Sequence, residues 1–240
     1  MNMESFLKVA LILSSAIAQD ISFTPPNVPL RKEIVYQTSN EWIFNLLIAY
    51  GFPTLKAIYW VGSFAEIATI VYRTSHFKSL SAVQAIAQYA VGLSIRNTPI
   101  TIPFVVGTAF AVIGCLIRRQ CYRTLGRFFT FQLSVREGHH IVTTGPYAIV
   151  RHPSYTSGLM QAIGILILHG SPDSWLRHSG VLDIPGVKTF AVTWLAGIIL
   201  LMINCLSRVS EEDEMLKTTF EDEWEKWAKV VRYRLIPGIY

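Results

Sequence analysis

The chain has 240 residues, of which 51% are apolar and only 15% are charged, and its mean hydropathy is +0.38. A typical soluble domain carries about 25% charged residues, so this composition is too poor in charge to cover a soluble globule. The same figures exclude an intrinsically disordered chain, a collagen-like chain and a disulfide-stapled mini-protein, and they indicate an integral membrane protein.

The net charge is +5, and the acidic residues are unevenly distributed along the chain. Eight of the 16 Asp and Glu residues lie between Glu211 and Glu225, so most of the chain is neutral or basic. The basic residues flank apolar runs, as membrane-edge residues do, and they form no dense cluster or nucleic-acid motif. The three cysteines show neither a CxxC pair nor zinc-ligand spacing. We therefore expect no nucleic-acid partner and no metal site.

The first apolar run, Phe6–Ala18, is interrupted by Lys8 and is shorter than the ~20 residues that a spanning helix needs. Its end, Ala16-Ile17-Ala18, resembles a signal-peptide cleavage site, but no basic region precedes Phe6. We therefore favour a first membrane helix over a cleaved signal peptide. The proline-rich segment Thr24–Pro29 then predicts an extended linker.

The next two apolar segments differ in strength. Trp42–Tyr72 is long and mostly apolar, and its interruption by Gly51 and Pro53 predicts one bent span or a short helix followed by a span. Leu80–Ile95 is only moderately apolar and predicts an interfacial or weakly buried helix. The positive charge at Arg73 favours a cytosolic position, whereas a count of five helices favours the lumen, so the N-terminal topology stays open.

Three further runs are nearly free of charge: Pro99–Ile117, Tyr155–Leu168 and Val187–Leu206. Basic residues follow the first run directly, starting at Arg118, which places that end in the cytosol by the positive-inside rule. The other two runs predict an antiparallel helical hairpin, since a segment rich in Gly and Pro joins them. Two spans then separate the polar loop Cys121–Val150 from the C-terminal tail, so we expect both on the cytosolic side.

The tail from Arg208 to Val231 has a helical pattern. Its apolar residues recur three or four positions apart, at Leu216, Phe220, Trp224, Trp227 and Val231. This pattern predicts an amphipathic helix that lies on the membrane or on the helical bundle. The sequence as a whole predicts an all-α, polytopic membrane helical bundle with about five spanning helices. Residues 1–117 would supply the N-terminal membrane helices and residues 118–240 the functional core.

Two polar segments should meet at the cytosolic face, because one enters the predicted hairpin and the other leaves it. They are His139–Tyr155 and Arg208–Glu212. The first segment reaches Arg151 at the start of a helix, where Pro153 suits the first turn. The unpaired N–H groups and partial positive charge of a helix start favour an anionic group such as a carboxylate.

Arg208 and Glu212 lie four positions apart, and therefore on one face of the tail helix. As an isolated surface ion pair they would contribute only about 0.3–0.5 kcal/mol, and Arg151 and His152 alone could simply mark a membrane boundary. The convergence of both segments on one face favours a functional site instead.

These segments resemble those of the isoprenylcysteine carboxyl methyltransferases, whose wider family includes membrane phospholipid methyltransferases. The resemblance covers about Gln132 to Tyr240, with several motifs in the right order around a spanning hairpin. The motifs are Val142-Thr-Thr-Gly145-Pro-Tyr147, Arg151-His152-Pro153-Ser154-Tyr155, Arg208-x-x-x-Glu212 and Arg234-Leu-Ile-Pro237.

The resemblance implies methyl transfer from S-adenosylmethionine to the C-terminal carboxylate of a prenylated cysteine. It implies that Arg208 binds the substrate carboxylate and that Glu212 belongs to the same catalytic site. The implied cofactor-binding residues are Gln132, His139, His140, Ile141, Val142, Tyr147, Arg151, His152, Pro153, Ser154, Tyr155 and Glu212. The family's usual His-Glu-Leu-Val reads His139-His140-Ile141-Val142 here, so we expect His140 to contact the cofactor through its backbone.

The chemistry of these residues is compatible with that activity. No GxGxxG motif occurs, so helix ends and loops would build the cofactor site. Arg151 could hold the cofactor's carboxylate and Glu212 its amino group, while His152 and Tyr155 could add hydrogen bonds or ring contacts. The acceptor carboxylate, with a pKa of about 3.5, is ionised at neutral pH and needs no general base. Arg208 could orient it as a bidentate clamp.

Two alternative functions, one enzymatic and one non-catalytic, predict different residues from those present here. A phospholipid amine N-methyltransferase would bind a cationic head group, which Arg208 would repel. A non-catalytic scaffold or transporter would carry polar residues in several spans; Glu66, inside a long apolar run, is explained by burial against a partner.

The resemblance also implies a subcellular location and a set of binding partners. The expected partners are the lipid bilayer and either prenylated protein C-termini or prenylcysteine-like small substrates. The expected location is the endoplasmic reticulum membrane, with several passes and with the active site facing the cytosol. The sequence leaves open whether the prenyl group is farnesyl or geranylgeranyl.

Overall fold

The computed structural model describes residues 2–35, 41–74 and 98–239, and its regular structure is almost entirely helical. The α-helices are α1 Met3–Ser22, α2 Glu41–Leu46, α3 Phe52–Thr74, α4 Ile102–Leu125, α5 Pro153–Gly170, α6 Trp175–His178 and α7 Val187–Val230. The only extended pairing within the described ranges is an isolated bridge between Ile34 and Ser134. The predicted helix over Leu80–Ile95 lies outside the described residues.

Four helical segments of the described chain are long and apolar enough to cross a membrane. They are Met3–Ser22, Trp42–Thr74, Ile102–Phe128 and Val187–Val230. The fifth long helix, α5, has 18 residues and is about 27 Å long at 1.5 Å per residue. These helices confirm the prediction of an all-α polytopic membrane protein. Of the two alternatives for the second apolar segment, the continuous helical stretch Trp42–Thr74 favours one span.

Helix α4 extends beyond its predicted end. It begins after Thr101, whose hydroxyl accepts a hydrogen bond from the Phe104 N–H, and it continues through Arg118 to Leu125. The basic residues do not end the helix, because their long side chains leave the backbone unaffected. It ends at Gly126, which has φ of +53°, a left-handed conformation that glycine adopts without strain. The start of the predicted polar loop is therefore helical.

Helix α7 joins two elements that were predicted separately. The apolar run continues into the amphipathic tail as one helix as far as Phe220, because nothing between Leu206 and Arg208 interrupts it. A bend at Glu221, with φ of 38°, marks the only non-helical position inside it. The predicted apolar face turns toward the bundle: Trp227 and Val231 are buried in its largest core cluster. The tail thus packs on the bundle.

Close packing of α4 against α5 aligns the ends of these two helices. A Cβ added to Gly164 would lie 2.7 Å from the Gly107 carbonyl oxygen, so the two backbones are too close for any side chain. Small residues that let backbones approach are typical of helix contacts in membranes. At the Pro153 end of this contact, Arg118 Nη1 donates to the backbone oxygen and the hydroxyl of Ser154, both at 3.0 Å.

Helix α1 is held to the bundle by buried polar contacts. Lys8 Nζ lies 2.8 Å from Glu66 Oε1, and both side chains are less than a tenth exposed. This pair confirms the expectation that Glu66 is buried against a partner. Further along α1, Ser22 accepts a hydrogen bond of 2.6 Å from Gln161 Nε2. Such contacts fit the interpretation of this segment as a membrane helix.

Candidate active site

A cavity of about 180 Å³ lies where the loop before α5, the start of α5 and the middle of α7 meet. All of the predicted site residues except Pro153 line it: Gln132, His139, His140, Ile141, Val142, Tyr147, Arg151, His152, Ser154, Tyr155, Arg208 and Glu212. Pro153 instead forms the first position of α5, as its fixed φ favours. The structure therefore brings the two predicted polar segments together.

Glu212 receives contacts from the start of α5 on both of its oxygens. The Tyr155 hydroxyl donates to Glu212 Oε2 at 2.8 Å, and His152 Nδ1 lies 3.7 Å from Oε1. The Glu212 side chain is 28% exposed, whereas the His152 side chain is only 2% exposed. The carboxylate is thus oriented by its neighbours and still reaches the cavity.

Arg208 is buried in the cavity wall, only 3% exposed. Its Nη2 donates to the Phe131 backbone oxygen at 2.8 Å, and its guanidinium carbon lies 3.6 Å from the centre of the Phe44 ring. Stacking on an aromatic face suits the planar guanidinium of arginine. These two contacts fix its orientation one helical turn from Glu212.

Asp213 is the residue that the sequence analysis missed. It is 4% exposed, and its carboxylate lies 2.8 Å from His152 Nε2 and 2.9 Å from Arg234 Nε. It also accepts from Arg151, from Nε at 3.3 Å and from Nη2 at 3.1 Å. Asp213 follows Glu212 directly, so a search for residues four apart on one helix face passes over it.

Arg151 lines the cavity and is also bound by protein groups. Its contact with the cofactor's carboxylate stays a prediction, and Asp213 accepts from two of its nitrogens. The other nitrogen, Nη1, donates to the backbone oxygens of Val231 and Arg232, both at 3.1 Å. Arg151 therefore joins α5 to α7 and to the C-terminal segment.

Asp213 and Glu212 together control the charge of His152. Burial alone would lower the pKa of His152, but hydrogen bonds to Asp213 and Glu212 and their negative charges outweigh it and raise that pKa to about 9. His152 is therefore an imidazolium at neutral pH, with both ring nitrogens able to donate.

The loop before α5 supplies an aromatic wall. The His139 ring stacks on Phe128, with centroids 4.6 Å apart and planes within 4°, and it meets the Phe220 ring edge-on at 5.3 Å. Burial and the adjacent His140 lower the pKa of His139, so its ring is neutral at pH 7. His139 Nδ1 is buried with no hydrogen-bond partner in the part of the chain that the structure describes, so it is available to a polar ligand.

The same loop is tied to helices on both sides. Gln132 Nε2 donates to Asn45 Oδ1 at 2.7 Å, and the Ile141 backbone N–H donates to Glu223 Oε1 at 3.1 Å. His140 is exposed at its surface. These bonds fix the loop backbone beside the cavity.

The inner part of the cavity is apolar. It passes between α5 and α7 along the side chains of Leu159, Ala162, Ile165, Ile198, Leu201 and Met202. Most of the membrane-spanning half of α7 is exposed, so this part lies next to the lipid. Arg118, expected only as a membrane-boundary residue, also lines the cavity and supports the start of α5 through Ser154.

The residues present can accommodate the implied cofactor, S-adenosylmethionine. A partly exposed carboxylate at Glu212 suits a cationic group, and a neutral, unpartnered His139 suits a hydrogen-bonding heterocycle without adding positive charge. No group of three or more His, Cys, Asp or Glu residues within the described ranges could hold a metal ion.

The fold and the cavity define a class: a polytopic helical membrane protein whose polar site opens into an apolar space between two helices. The family described as the isoprenylcysteine carboxyl methyltransferase (ICMT) family matches residues 106–180. This match confirms the resemblance inferred from the motifs. Arg208 and Glu212 lie beyond the matched residues, so their place in the site rests on the geometry.

Curated relatives agree in part with that family. Protein-S-isoprenylcysteine O-methyltransferase B of Arabidopsis thaliana is 36% identical over 77 residues, which are 31% of this chain and 39% of that protein. A probable protein-S-isoprenylcysteine O-methyltransferase of Oryza sativa subsp. indica is 27% identical over 128 residues, 52% of this chain and 57% of that protein. Delta(14)-sterol reductase of Neurospora crassa is 26% identical over 127 residues, 45% of this chain and 25% of that protein.

The chain thus covers less than two thirds of the length of each of these relatives. No solved structure matches it significantly.

Proposed function

We propose that this protein is an S-adenosylmethionine-dependent methyltransferase that esterifies the C-terminal carboxylate of a prenylated cysteine. The observation that carries the proposal is the placement of Arg208 and Glu212 one turn apart in a single cavity with an apolar inner part. An arginine suits a carboxylate acceptor, an acidic residue suits a cationic donor, and an apolar space suits a prenyl chain.

Glu212 is the residue that we assign to the cofactor's amino group. Tyr155 and His152 hold its carboxylate from the α5 side, so it is oriented before any ligand binds. His139 faces the same cavity as a neutral ring, which avoids repulsion with a sulfonium. When bound, S-adenosylmethionine supplies an activated methyl group, and the protein needs only to position the acceptor near it.

Arg208 is the residue that we assign to the acceptor carboxylate. The acceptor is ionised at neutral pH, so no side chain has to remove a proton. Stacking on Phe44 and the bond to the Phe131 carbonyl keep the guanidinium in one plane. A planar, fixed guanidinium can orient a carboxylate and, in a partly dehydrated site, keep it close to the methyl donor.

The apolar inner part of the cavity explains why such an enzyme would reside in the membrane. The side chains between α5 and α7 form a path for a prenyl chain that arrives from the lipid. We place the protein in the endoplasmic reticulum membrane with this cavity facing the cytosol, as the resemblance to the family implies. Prenylated protein C-termini and small prenylcysteines both fit this path.

The two other functions receive less support from the geometry. A cationic phospholipid head group would be repelled by the buried Arg208. The charged residues at the opposite end, Lys8 and Glu66, pair with each other rather than lining a wide passage.

The test is methyl transfer from labelled S-adenosylmethionine to N-acetyl-S-farnesylcysteine in membranes that contain the full chain. We expect a base-labile methyl ester, and we expect at least a 100-fold loss of kcat/KM in Arg208→Ala, about 2.7 kcal/mol. Arg208→Lys should recover only part of the activity, because an ammonium cannot clamp a carboxylate bidentately.

Arg119→Ala is the matched control, since Arg119 is exposed on α4 and does not line the cavity. Labelled phospholipid without any ester would replace the proposal with the N-methyltransferase. Absence of cofactor binding by the wild-type protein would favour the non-catalytic alternative. A geranylgeranyl acceptor in competition would show which prenyl group is preferred.

A further inference from the structure

The C-terminal segment Val231–Leu235 lies across the start of α5. The backbone N–H groups of Arg151 and His152 donate to the carbonyl oxygens of Tyr233 and Arg234, at 2.9 and 2.8 Å. The Thr156 hydroxyl donates to the Leu235 oxygen at 2.7 Å. Leu235 is 2% exposed. The segment therefore binds the N–H groups of the two residues that precede α5 and packs beside the first turn of that helix.

Asp213 joins this segment to α7 and to the residues that precede α5. It binds Arg151 and His152, which directly precede α5, and Arg234 from the C-terminal segment, and it belongs to α7 itself. It does not line the cavity. Removing one partner from a buried charge network leaves the others uncompensated, which is strongly unfavourable. Loss of the Asp213 charge would leave the Arg151 and Arg234 guanidinium groups without this carboxylate and would remove one of the two carboxylates beside His152.

The position of His152 depends directly on this carboxylate. Because Nε2 of the ring is bound to Asp213 at 2.8 Å, Nδ1 points toward Glu212 at 3.7 Å. A carboxylate that fixes a histidine ring through one nitrogen orients the other nitrogen for its task. Asp213 thus acts on Glu212 through the ring of His152.

We propose that Asp213 is the positioning residue of the cofactor site: it fastens the C-terminal segment over the start of α5 and aims His152 at Glu212. The inference rests on the proposed function, because it takes Glu212 as the cofactor contact. Asp213 itself touches neither substrate nor cofactor. Its loss should weaken cofactor binding and loosen the C-terminal segment together.

The experiment measures two quantities on the purified full chain in detergent. The first is the Kd for S-adenosylmethionine by calorimetry, and the second is the rate of trypsin cleavage after Arg232 in the C-terminal segment. For Asp213→Asn we expect at least a tenfold rise in Kd and at least a tenfold faster cleavage. Glu214→Gln is the matched control: Glu214 is exposed on the same helix, and both quantities should stay at the wild-type values.

A second variant acts at the edge of the network. Arg234→Gln removes the ion pair with Asp213 and the hydrogen bond to Ser210 at a side chain that is already 33% exposed, so the chain should fold normally. We expect a Kd rise of about threefold, and the double variant Asp213→Asn with Arg234→Gln should bind no worse than Asp213→Asn alone. Such non-additivity is the signature of residues that act through one contact.

The outcomes separate this inference from the proposed function. If the wild-type protein and Glu214→Gln bind no S-adenosylmethionine, the proposed function fails. If they bind it and both Asp213→Asn and Arg234→Gln bind it equally well, the inference alone is overturned. A fall in melting temperature at an unchanged Kd would likewise assign Asp213 a merely structural role. In turnover assays, the KM for the cofactor should rise more than kcat falls.

Discussion

Two buried charge clusters lie at opposite ends of α5, and they differ in what they are connected to. At the Gly170 end, Lys8 and Glu66 form a one-to-one pair beside a cavity of only about 10 Å³. At the Pro153 end, Asp213 gathers several cations next to a cavity of about 180 Å³. Only the second cluster has a partly exposed carboxylate, Glu212, that can meet a ligand.

The comparison shows that a buried charge is a weak sign of function until its neighbours are known. Lys8 and Glu66 satisfy one another, and Lys8 also donates to the backbone and hydroxyl oxygens of Thr98. That network fixes the position of α1 against α3. In the Asp213 cluster, by contrast, the same kind of pairing orients His152 and, through it, a residue in the cavity wall.

The largest effect on the free energy of unfolding is expected at the Lys8–Glu66 pair, which lies away from the candidate active site. Lys8→Met leaves the Glu66 carboxylate buried and uncompensated, which should lower the free energy of unfolding by about 3–5 kcal/mol. The measurement is reversible unfolding of the detergent-solubilised chain in denaturant. The Kd for S-adenosylmethionine should not change in the fraction that remains folded.

The double variant Lys8→Met with Glu66→Leu is the control for that experiment. Replacing both charges with apolar side chains of similar volume is often neutral or stabilising, so most of the lost stability should return. A double variant as unstable as the single one would show that the charges themselves are needed. A changed cofactor Kd would show that the two ends of the bundle are coupled.

The contact between α4 and α5 runs between the two charge clusters at the ends of α5. A substitution at Gly164 tests how tight this contact is. In Gly164→Ala the new Cβ would lie 2.7 Å from the Gly107 oxygen, so the helices must separate. We expect a loss of about 1–3 kcal/mol, as for other overpacked positions. Gly197→Ala on α7 is the control, because no atom lies within 4 Å of the added carbon. Equal stabilities for the two variants would contradict the tight contact.

Composition and periodicity predict the spans, the hairpin and the meeting of its two polar ends, because each depends on residues close in sequence. The charge network depends instead on distant segments: Arg151 and Asp213 are 62 positions apart. The sequence suggested only a cofactor contact for Arg151, whereas folding also supplies it with a carboxylate and two backbone oxygens. Arg118 was likewise expected only at the membrane boundary, because its bond to Ser154 exists only once α4 and α5 pack.

A substitution of Glu212, beside the candidate active site, should have a smaller effect, and the effect should be on cofactor affinity. Glu212→Gln keeps the size of the side chain and removes its charge, so it should raise the Kd for S-adenosylmethionine about tenfold, or about 1.4 kcal/mol. Stability should change little, since the side chain is partly exposed. Calorimetry checks the affinity, with Glu214→Gln as the control. An unchanged Kd would show that Glu212 does not contact the cofactor. Neither buried charge cluster would then have a link to a ligand.

The last prediction is a dependence on pH that only the Asp213 end should show. The groups facing His152 are Asp213, Glu212 and the Tyr155 ring, with Arg151 beside it in the sequence. Burial opposes the charged ring, but the two carboxylates raise the pKa of His152 to about 9, above its ordinary value of 6.5. Stabilisation by this imidazolium is therefore fully present below pH 6.5 and is lost as the pH rises through about 9.

The melting temperature of the solubilised chain should accordingly fall between about pH 6.5 and pH 9. In Asp213→Asn the main support for the charged ring is gone, so the part of this fall that belongs to His152 should move to lower pH. Subtracting the Glu214→Gln profile removes the titration of lysines and tyrosines elsewhere in the chain. Identical profiles for the two variants would mean that Asp213 does not set the charge of His152. The two buried clusters would then differ only in their distance from the cavity, and not in what their carboxylates do.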